Sequence, residues 1–214
     1  MVIKIPYKTF FNLSNEKKDR IIEAAIDEFA KNSYKNSKLS NIIRQAKIPR
    51  GSIYQYFKDK EDLYLYIIEL IKKQKMKYLE ALLKNEEDKP FLKLFKELYI
   101  EGINFAIENP KYIKIFTNLL NLKDEMYNEI LKDSIEIAMD YYINYIKHDQ
   151  EKGRIRKDIN PRVFAKLVID LTMNISLDNI EENNETLGYD NILERVTEII
   201  YIIEYGVING ERNV

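Results

Sequence analysis

The sequence predicts an all-α protein of about nine helices, and three observations support this fold class. Gly and Pro are scarce, at 6 and 5 of 214 residues, and they fall between stretches in which apolar residues recur at helical spacing. No segment shows the sustained alternation of apolar and polar residues that is typical of strands. Asn, Asp or Ser precedes several of the periodic stretches, as expected where helices begin.

The helix boundaries follow from capping signals along the chain. Asp59 and Asp62 have the spacing of a capping box at the start of a long helix. Asn109-Pro110 and Asn160-Pro161 each place a capping side chain before a proline, which lacks the N–H that a first helical turn leaves unpaired. Gly153 ends the helix before it. The predicted helices cover about residues 14–30, 38–45, 49–56, from 59 into the eighties, from 88 or 90, from 110, 124–150, 161–180 and 189–207.

The composition excludes several classes of site. The chain has no cysteine and one histidine, so a thiolate zinc site, a cysteine nucleophile and a histidine-based relay are not expected. We therefore predict no catalytic residues, no metal and no cofactor. No apolar stretch approaches the ~20 residues that span a bilayer, and the N-terminus lacks the pattern of a signal peptide. A cytoplasmic protein with no membrane partner is the expectation.

Charge is unevenly distributed along the chain, although the net charge is only -1. Residues 1–60 carry 13 basic and 6 acidic side chains, a net +7, and residues 61–214 carry a net −8. This division predicts an N-terminal domain over 1–60 that binds a polyanion and a second domain over 61–214 that does not. A basic face that is merely solvated remains an alternative on charge alone.

Residues 33–63 carry the pattern of a helix-turn-helix. Apolar residues at 42, 46, 48 and 53 stand where two short helices around a tight turn must pack together. The second of these helices has a polar face that includes Arg50, Ser52 and Gln55, and such a helix fits the major groove of DNA. By geometry Gln55 can pair with adenine and Arg50 with guanine. An ordinary helical hairpin is the alternative that the spacing leaves open.

The chain resembles the TetR family of transcriptional repressors over residues 17–63. The similarity comprises an amphipathic helix ending in EFAKNSY, the start of the next helix, and the block Gly-Ser-Ile-Tyr-Gln-Tyr-Phe at 51–57 followed by Lys60, Glu61 and Leu63. The sequence departs from the family pattern at Lys47, where glycine is usual, and at Pro49, where Ser or Thr is usual. Ser33 and Ile43 also differ from the family's Gly and Ala.

The resemblance implies a DNA-binding surface on the helix-turn-helix. It places Lys60 on a DNA phosphate, where the amino end of the following helix adds a favourable dipole. It also assigns a backbone-gripping role to the start of the second helix, at Ser37 and Lys38. The full predicted set is Ser37, Lys38, Arg50, Ser52, Tyr54, Gln55, Tyr56, Lys58 and Lys60.

The resemblance further implies a homodimer on a pseudo-palindromic, double-stranded DNA operator. The last two helices would form the interface, through Val168, Leu171, Ile175, Ile192, Val196, Ile199, Ile200, Ile203 and Val207. A small hydrophobic or aromatic effector would bind in the second domain, over 61–214, which we call the body. Its binding would cause the protein to release the operator. Its candidate lining residues are Tyr99, Phe105, Tyr112, Phe116, Asn118, Met139, Tyr142, Tyr145 and Asn174.

Two other functions stay open at this point. A helical enzyme or small-molecule-binding protein with an incidental N-terminal hairpin is one, although no nucleophile motif, phosphate-binding loop or zinc motif occurs. A helical module that dimerises without a ligand is the other. Steeply salt-sensitive binding to an operator would separate the regulator from the enzyme.

Overall fold

The protein is all-α over the residues that the computed structural model describes, which are 6–84, 88–122, 125–181 and 189–207. These residues form ten α-helices and one 3-10 turn, and they contain no strand. The helices are α1 (Lys8–Phe11), α2 (Asn15–Lys31), α3 (Leu39–Gln45), α4 (Ile53–Tyr56, preceded by the 3-10 turn Arg50–Ser52), α5 (Lys60–Lys84), α6 (Phe91–Glu108), α7 (Pro110–Leu120), α8 (Glu125–Glu151), α9 (Pro161–Glu181) and α10 (Tyr189–Val207).

The predicted capping signals are confirmed at several helix ends but not at Asn109, whose side chain makes no capping bond to α7. The Asp59 side chain accepts a hydrogen bond of 2.9 Å from the Asp62 N–H in the first turn of α5. Asn160 likewise accepts from the Arg162 and Val163 N–H groups, ahead of Pro161. Gly153 has the left-handed φ of 73° that favours glycine after a helix. Of the ten helices, α1 is the one that the sequence analysis did not predict.

The chain divides into two compact units, each with its own core. Unit 1 comprises Met1–Tyr78 and Asn104–Ile130. In it α2 packs against α3 and α7, and the fully buried rings of Phe29 and Tyr64 meet edge to face at 4.9 Å. The predicted domain boundary at residue 60 stays a prediction.

Unit 2 comprises Leu79–Ile103 and Leu131–Val214. Its core is built from residues of α6, α8, α9 and α10 and of the segment after α8, namely Phe91, Leu92, Phe95, Ile146, Ile155, Phe164, Ala165, Val168, Ile200 and Ile203. The buried Asp149 carboxylate accepts a hydrogen bond of 2.7 Å from the Phe91 N–H and so caps the start of α6. In the part of the chain that the structure describes, no helix is long and apolar enough to cross a membrane.

Candidate nucleic-acid interface

The turn between α3 and α4 adopts a Schellman motif centred on Lys47. Lys47 has a φ of 54° and donates its N–H to Arg44 O at 3.2 Å, and Ile48 donates to Ile43 O at 3.2 Å. Ile43 and Ile48 are both buried, which supplies the apolar contact that accompanies this motif. The lysine therefore occupies a left-handed position that the family's usual glycine would adopt without strain.

The apolar residues predicted to hold the two helices together are all buried. Ile42, Ala46, Ile48 and Ile53 lie in the core of unit 1. The second helix begins as a 3-10 turn at Arg50 and becomes α-helical at Ile53. Its length therefore matches the predicted helix over about 49–56, and Ile53 on its inner face is buried.

The outward face of this second helix carries three of the predicted DNA-contacting side chains. Arg50, Tyr54 and Gln55 are exposed, and Tyr54 exposes 55% of its surface. Ser52 is half-buried. Because long polar side chains on an exposed helix face can reach base edges, this surface has the chemistry for reading DNA sequence. We call α4 with its 3-10 turn the recognition helix.

Exposed basic side chains surround the recognition helix in the sequence. Residues 31–60 contain eight Lys and Arg residues and a single acidic one, Asp59. Lys38, Lys47 and Lys58 are exposed, and the Lys58 Nζ lies 3.8 Å from an Asp59 oxygen. A surface ion pair of this length contributes little and leaves the lysine available to a phosphate. The roles of Lys38 and Lys58 as phosphate contacts stay predictions.

Lys60 has a structural role that the sequence analysis missed. Its Nζ donates to the Tyr34 carbonyl at 2.6 Å and to the Ser37 carbonyl at 3.1 Å, and it lies 4.5 Å from the centre of the Tyr34 ring. Burial lowers the pKa of the Lys60 ammonium group, while the nearby Glu28 carboxylate raises it. The side chain thus ties the start of α5 to the loop before α3. Because an ammonium group has three N–H donors and these bonds use two, the phosphate contact at Lys60 stays a prediction.

Ser37 and Tyr56 are also poorly placed for the predicted DNA contacts. Ser37 is buried, and its hydroxyl donates to the Tyr34 carbonyl at 2.7 Å. Tyr56 is buried, with its ring 6.2 Å from that of Phe10. Both side chains stabilise from within the N-terminal helices up to residue 60, which we call the head. They are therefore corrected from DNA-contacting to supporting residues.

Glu28 is the residue of this region that the sequence analysis did not identify. Its buried carboxylate in α2 accepts hydrogen bonds from the Lys38 N–H at 2.8 Å and from the Asn41 side chain at 3.2 Å. Helix α3 has no side-chain cap from its own N-cap residue, Lys38. Glu28 therefore caps α3 from another helix, a contact that no local sequence pattern signals.

The predicted effector residues fall in both units. In unit 1, the buried Phe105 ring lies 5.7 Å from Tyr78 and 6.1 Å from Tyr112, and the Asn118 amide donates to the Phe29 carbonyl. Phe116 is half-buried in the same unit. Asn118 therefore has one of its donors occupied at the end of α2, and the effector roles of these side chains stay predictions.

In unit 2, the remaining effector candidates pack around the core. Tyr99, Met139, Tyr142 and Tyr145 are partly buried against it, and the Tyr145 hydroxyl donates to the Lys89 carbonyl at 2.8 Å. Burial raises the pKa of Tyr142 to about 12. The Asn174 side chain lies outside the described residues.

Unit 2 also contains an open groove with a volume of about 690 Å³. It is bordered by the start of α6, the segment after α8 and one face of α10, and its polar lining includes Lys93, Lys96 and Arg154. None of the predicted effector residues whose side chains the structure describes lines it. Among the described residues, no cluster of His, Cys, Asp or Glu has the geometry to hold a metal ion.

The predicted dimer interface needs a correction in its position on the helices. Val168, Ile200 and Ile203 belong to the core of unit 2, because they are buried within this chain in the same cluster as Phe91 and Phe95. Leu171 and Ile199 are partly buried against that core. The side chains of Ile175, Ile192, Val196 and Val207 lie outside the described residues. Among the side chains of α9 and α10 that the structure describes, the large exposed apolar ones are Val163, Leu167, Tyr201, Ile202 and Tyr205.

Comparisons with known proteins agree with this arrangement. Residues 21–67 match the profile of the bacterial regulatory proteins of the tetR family. The chain is 27% identical to the fatty acid metabolism regulator protein of Bacillus subtilis over 191 residues, which cover 85% of this chain and 94% of that protein.

Solved structures extend the similarity to the whole fold. A TetR family transcriptional regulator from Chloroflexus aurantiacus superimposes with a TM-score of 0.74 at 25% identity, covering 97% of this chain and 100% of that one. The fatty acid degradation regulator FadR of Bacillus halodurans has a TM-score of 0.65 at 17% identity, covering 85% and 96%. This second likeness concerns the fold alone.

Proposed function

The chain belongs to the TetR family of bacterial transcriptional regulators, and we propose that it acts as a homodimeric repressor that a small molecule releases from its operator. The observation that carries the proposal is the exposed set Arg50, Tyr54 and Gln55 on a recognition helix whose other face is buried. That helix belongs to a segment of net charge +7, in a chain whose remainder carries −8. An acidic body would be repelled by the same duplex that attracts the head, so this charge division favours binding through the head.

The exposed apolar residues of the last two helices support a dimer. Val163 and Leu167 expose 67% and 49% of their surface on α9, and Ile202 and Tyr205 expose 69% and 73% on α10. Both helices contribute to one core, and large exposed apolar side chains on such helices favour a surface that a partner covers. Since one short recognition helix contacts only a few base pairs, two heads on a pseudo-palindrome would supply the specificity.

The effector of the proposed repressor is a small hydrophobic or aromatic molecule that binds the body. The proposed repressor acts in the cytoplasm. The name of the Bacillus subtilis relative makes a fatty-acyl compound the first class to test. Such a ligand can weaken operator binding only to the extent that it binds the DNA-free conformation more tightly than the DNA-bound one. Residues such as Tyr99 and Met139, which are partly buried against the core of unit 2, offer the apolar surface for it.

Selection from a random-sequence DNA library by the full-length chain tests the DNA-binding part of the proposal. We expect enrichment of a pseudo-palindrome whose half-sites are about 34 Å apart, or one helical turn, or a multiple of that distance. Recovery of no preferred sequence would contradict a sequence-specific regulator. It would favour the alternative of a helical enzyme or binding protein with an incidental hairpin.

A competition experiment tests the effector class separately. Dodecanoic acid and its coenzyme A ester are titrated into the complex of the chain with the selected duplex. We expect one of them to release the duplex at a saturable concentration. If neither does so while the duplex remains tightly bound, the fatty-acyl class is wrong and the DNA-binding proposal stands.

A further inference from the structure

Helix α1 contacts the recognition helix but lies outside the part of the chain that matches the family profile. The profile begins at residue 21, whereas α1 spans Lys8–Phe11. Among the described elements, α4 has direct contacts with α1 and with its own 3-10 turn. The recognition helix of this protein thus has a support that the matched profile does not include.

The recognition helix needs support because it is short. Its α-helical part has four residues, and neither Ser52 nor Phe57 at its two ends supplies a side-chain capping bond. Isolated helices of this length are unstable in water, and the last carbonyl groups of any helix lack partners within it. The orientation of Gln55 therefore depends on hydrogen-bond donors outside the helix that pair with those carbonyl groups.

Helix α1 and its N-cap residue, Tyr7, provide partners for two of those carbonyls. The Tyr7 N–H donates to the Tyr56 carbonyl at 2.9 Å, and the Thr9 hydroxyl donates to the Gln55 carbonyl. The second bond acts on the backbone of the residue that we expect to read a base. Thr9 itself is exposed, so its side chain is not needed to fill the core.

Phe10 fixes α1 in this position. Its side chain is fully buried, with ring centres 4.9 Å from Phe57 and 5.4 Å from Tyr66 in α5. The Lys18 ammonium group of α2 also donates to the Phe11 carbonyl of α1, at 3.1 Å. Helix α1 is therefore held by α2 and α5 while it holds the end of α4.

We propose that α1 positions the recognition helix, and that Thr9 and Phe10 set sequence preference by orienting Gln55 without contacting DNA. This inference rests on the proposed DNA-binding function. Hydrogen bonds to base edges depend strongly on angle, whereas attraction to phosphates tolerates small rotations of the helix. Loss of the support should therefore weaken binding to the preferred sequence more than binding to other DNA.

Two variants of Thr9 form the sharpest test. The probes are the duplex selected by the wild-type chain and a scrambled duplex of the same composition, each titrated by fluorescence anisotropy. Thr9→Val removes the hydroxyl donor and keeps the shape of the side chain, whereas Thr9→Ser keeps the donor. We expect Thr9→Val to bind the selected duplex about fivefold more weakly, the size of one net hydrogen bond, with no change for the scrambled duplex. Thr9→Ser should bind both duplexes as the wild type does.

Phe10 and its neighbour provide a second comparison. Phe10→Leu should keep the fold and lower the preference for the selected duplex, and Phe11→Ala, on the half-exposed side of the same helix, should not. Binding is measured at a temperature at which circular dichroism shows each variant folded. If Phe10→Leu fails to fold, the comparison of Thr9→Val with Thr9→Ser tests the proposal without it.

Two results would overturn the proposal. One is an unchanged preference in Thr9→Val. The other is an equal loss of affinity for both duplexes, which would indicate a general rather than a positioning effect. Failure of the DNA-binding function itself would be recognised earlier, because the wild-type chain would then select no duplex.

Discussion

The Glu28 carboxylate accepts a hydrogen bond of 2.8 Å from the backbone N–H of Lys38, across ten residues of sequence. This bond joins α2 to the amino end of α3, and Asn41 donates to the same carboxylate. Lys60 approaches the region from α5 by donating to the Tyr34 and Ser37 carbonyls. Three helices of the head are thus fixed through polar contacts around one buried acid.

Removal of the Glu28 carboxylate should destabilise the head. In Glu28→Ala the Lys38 N–H loses its acceptor, and we expect the free energy of unfolding to fall by about 2 kcal/mol. Urea unfolding followed by circular dichroism measures the change. Glu23→Ala, on the exposed face of the same helix, is the matched control and should change stability little. Equal stability of the two variants would show that the capping bond contributes nothing.

Relief of the left-handed strain at Lys47 should stabilise the protein. Because a side chain with a φ of 54° costs about 1 kcal/mol that glycine avoids, we expect Lys47→Gly to raise the free energy of unfolding by about that amount. Thermal or urea unfolding provides the measurement. Lys58→Gly, at a position without positive φ, should give no gain. A loss of stability in Lys47→Gly would contradict the Schellman interpretation of this turn.

Base-reading and phosphate-contacting residues should differ in how their loss affects binding. We expect Gln55→Ala to change which base is preferred within each half-site, because the carboxamide can pair with adenine. Lys58→Ala should instead weaken binding to all sequences and lower the slope of log Kobs against log salt by about 1. Affinity measurements on duplexes that carry each base in turn separate the two effects. A uniform loss in Gln55→Ala would exclude base reading by this residue.

A charge placed on the exposed face of α10 should dissociate the dimer. Ile202 exposes 69% of its surface, and a buried carboxylate at a partner interface would be strongly unfavourable. We expect Ile202→Glu to sediment as a monomer at concentrations at which the wild type is a dimer. Ile137→Glu on α8 is the control, since Ile137 is equally exposed at 71% and belongs to neither of the proposed interface helices. If Ile202→Glu remains a dimer, the interface does not include this face of α10.

Alkaline pH should destabilise the wild type through Tyr142. Burial raises the pKa of its hydroxyl to about 12, whereas the unfolded chain ionises near the ordinary value of 10.0. The stability that this hydroxyl provides is therefore fully present below pH 10 and decreases as the pH rises toward 12. Between pH 9 and pH 11 the free energy of unfolding should fall about 1 kcal/mol more in the wild type than in Tyr142→Phe. Parallel curves for the two proteins would contradict the buried location of this hydroxyl.

The sequence analysis succeeded where the determinants are local. The apolar positions 42, 46, 48 and 53 and the capping residues Asp59 and Asn160 act within one or two turns, so their spacing is visible in the sequence. The recognition helix and its exposed Arg50 and Gln55 follow from the same pattern.

Contacts between distant segments were not accessible to that reasoning. The bond from Lys60 to a carbonyl 26 residues away was not predicted. The run Thr9-Phe10-Phe11 is too short to show helical periodicity, and the burial of Phe10 depends on rings of α4 and α5. In α10, Ile200 and Ile203 were assigned to a partner, because periodicity identifies an apolar face without indicating which surface covers it.

The salt dependence of binding to the selected duplex tests the central claim most directly. For two basic heads on one duplex we predict two chains per duplex and an affinity that falls steeply and linearly on a plot of log Kobs against log salt. In the same measurement, the double variant Arg50→Ala, Gln55→Ala should keep much of the slope of log Kobs against log salt. It should lose the preference for the selected sequence. Binding that is absent, or that is insensitive to salt, would contradict the assignment of the N-terminal helices as a DNA-reading head.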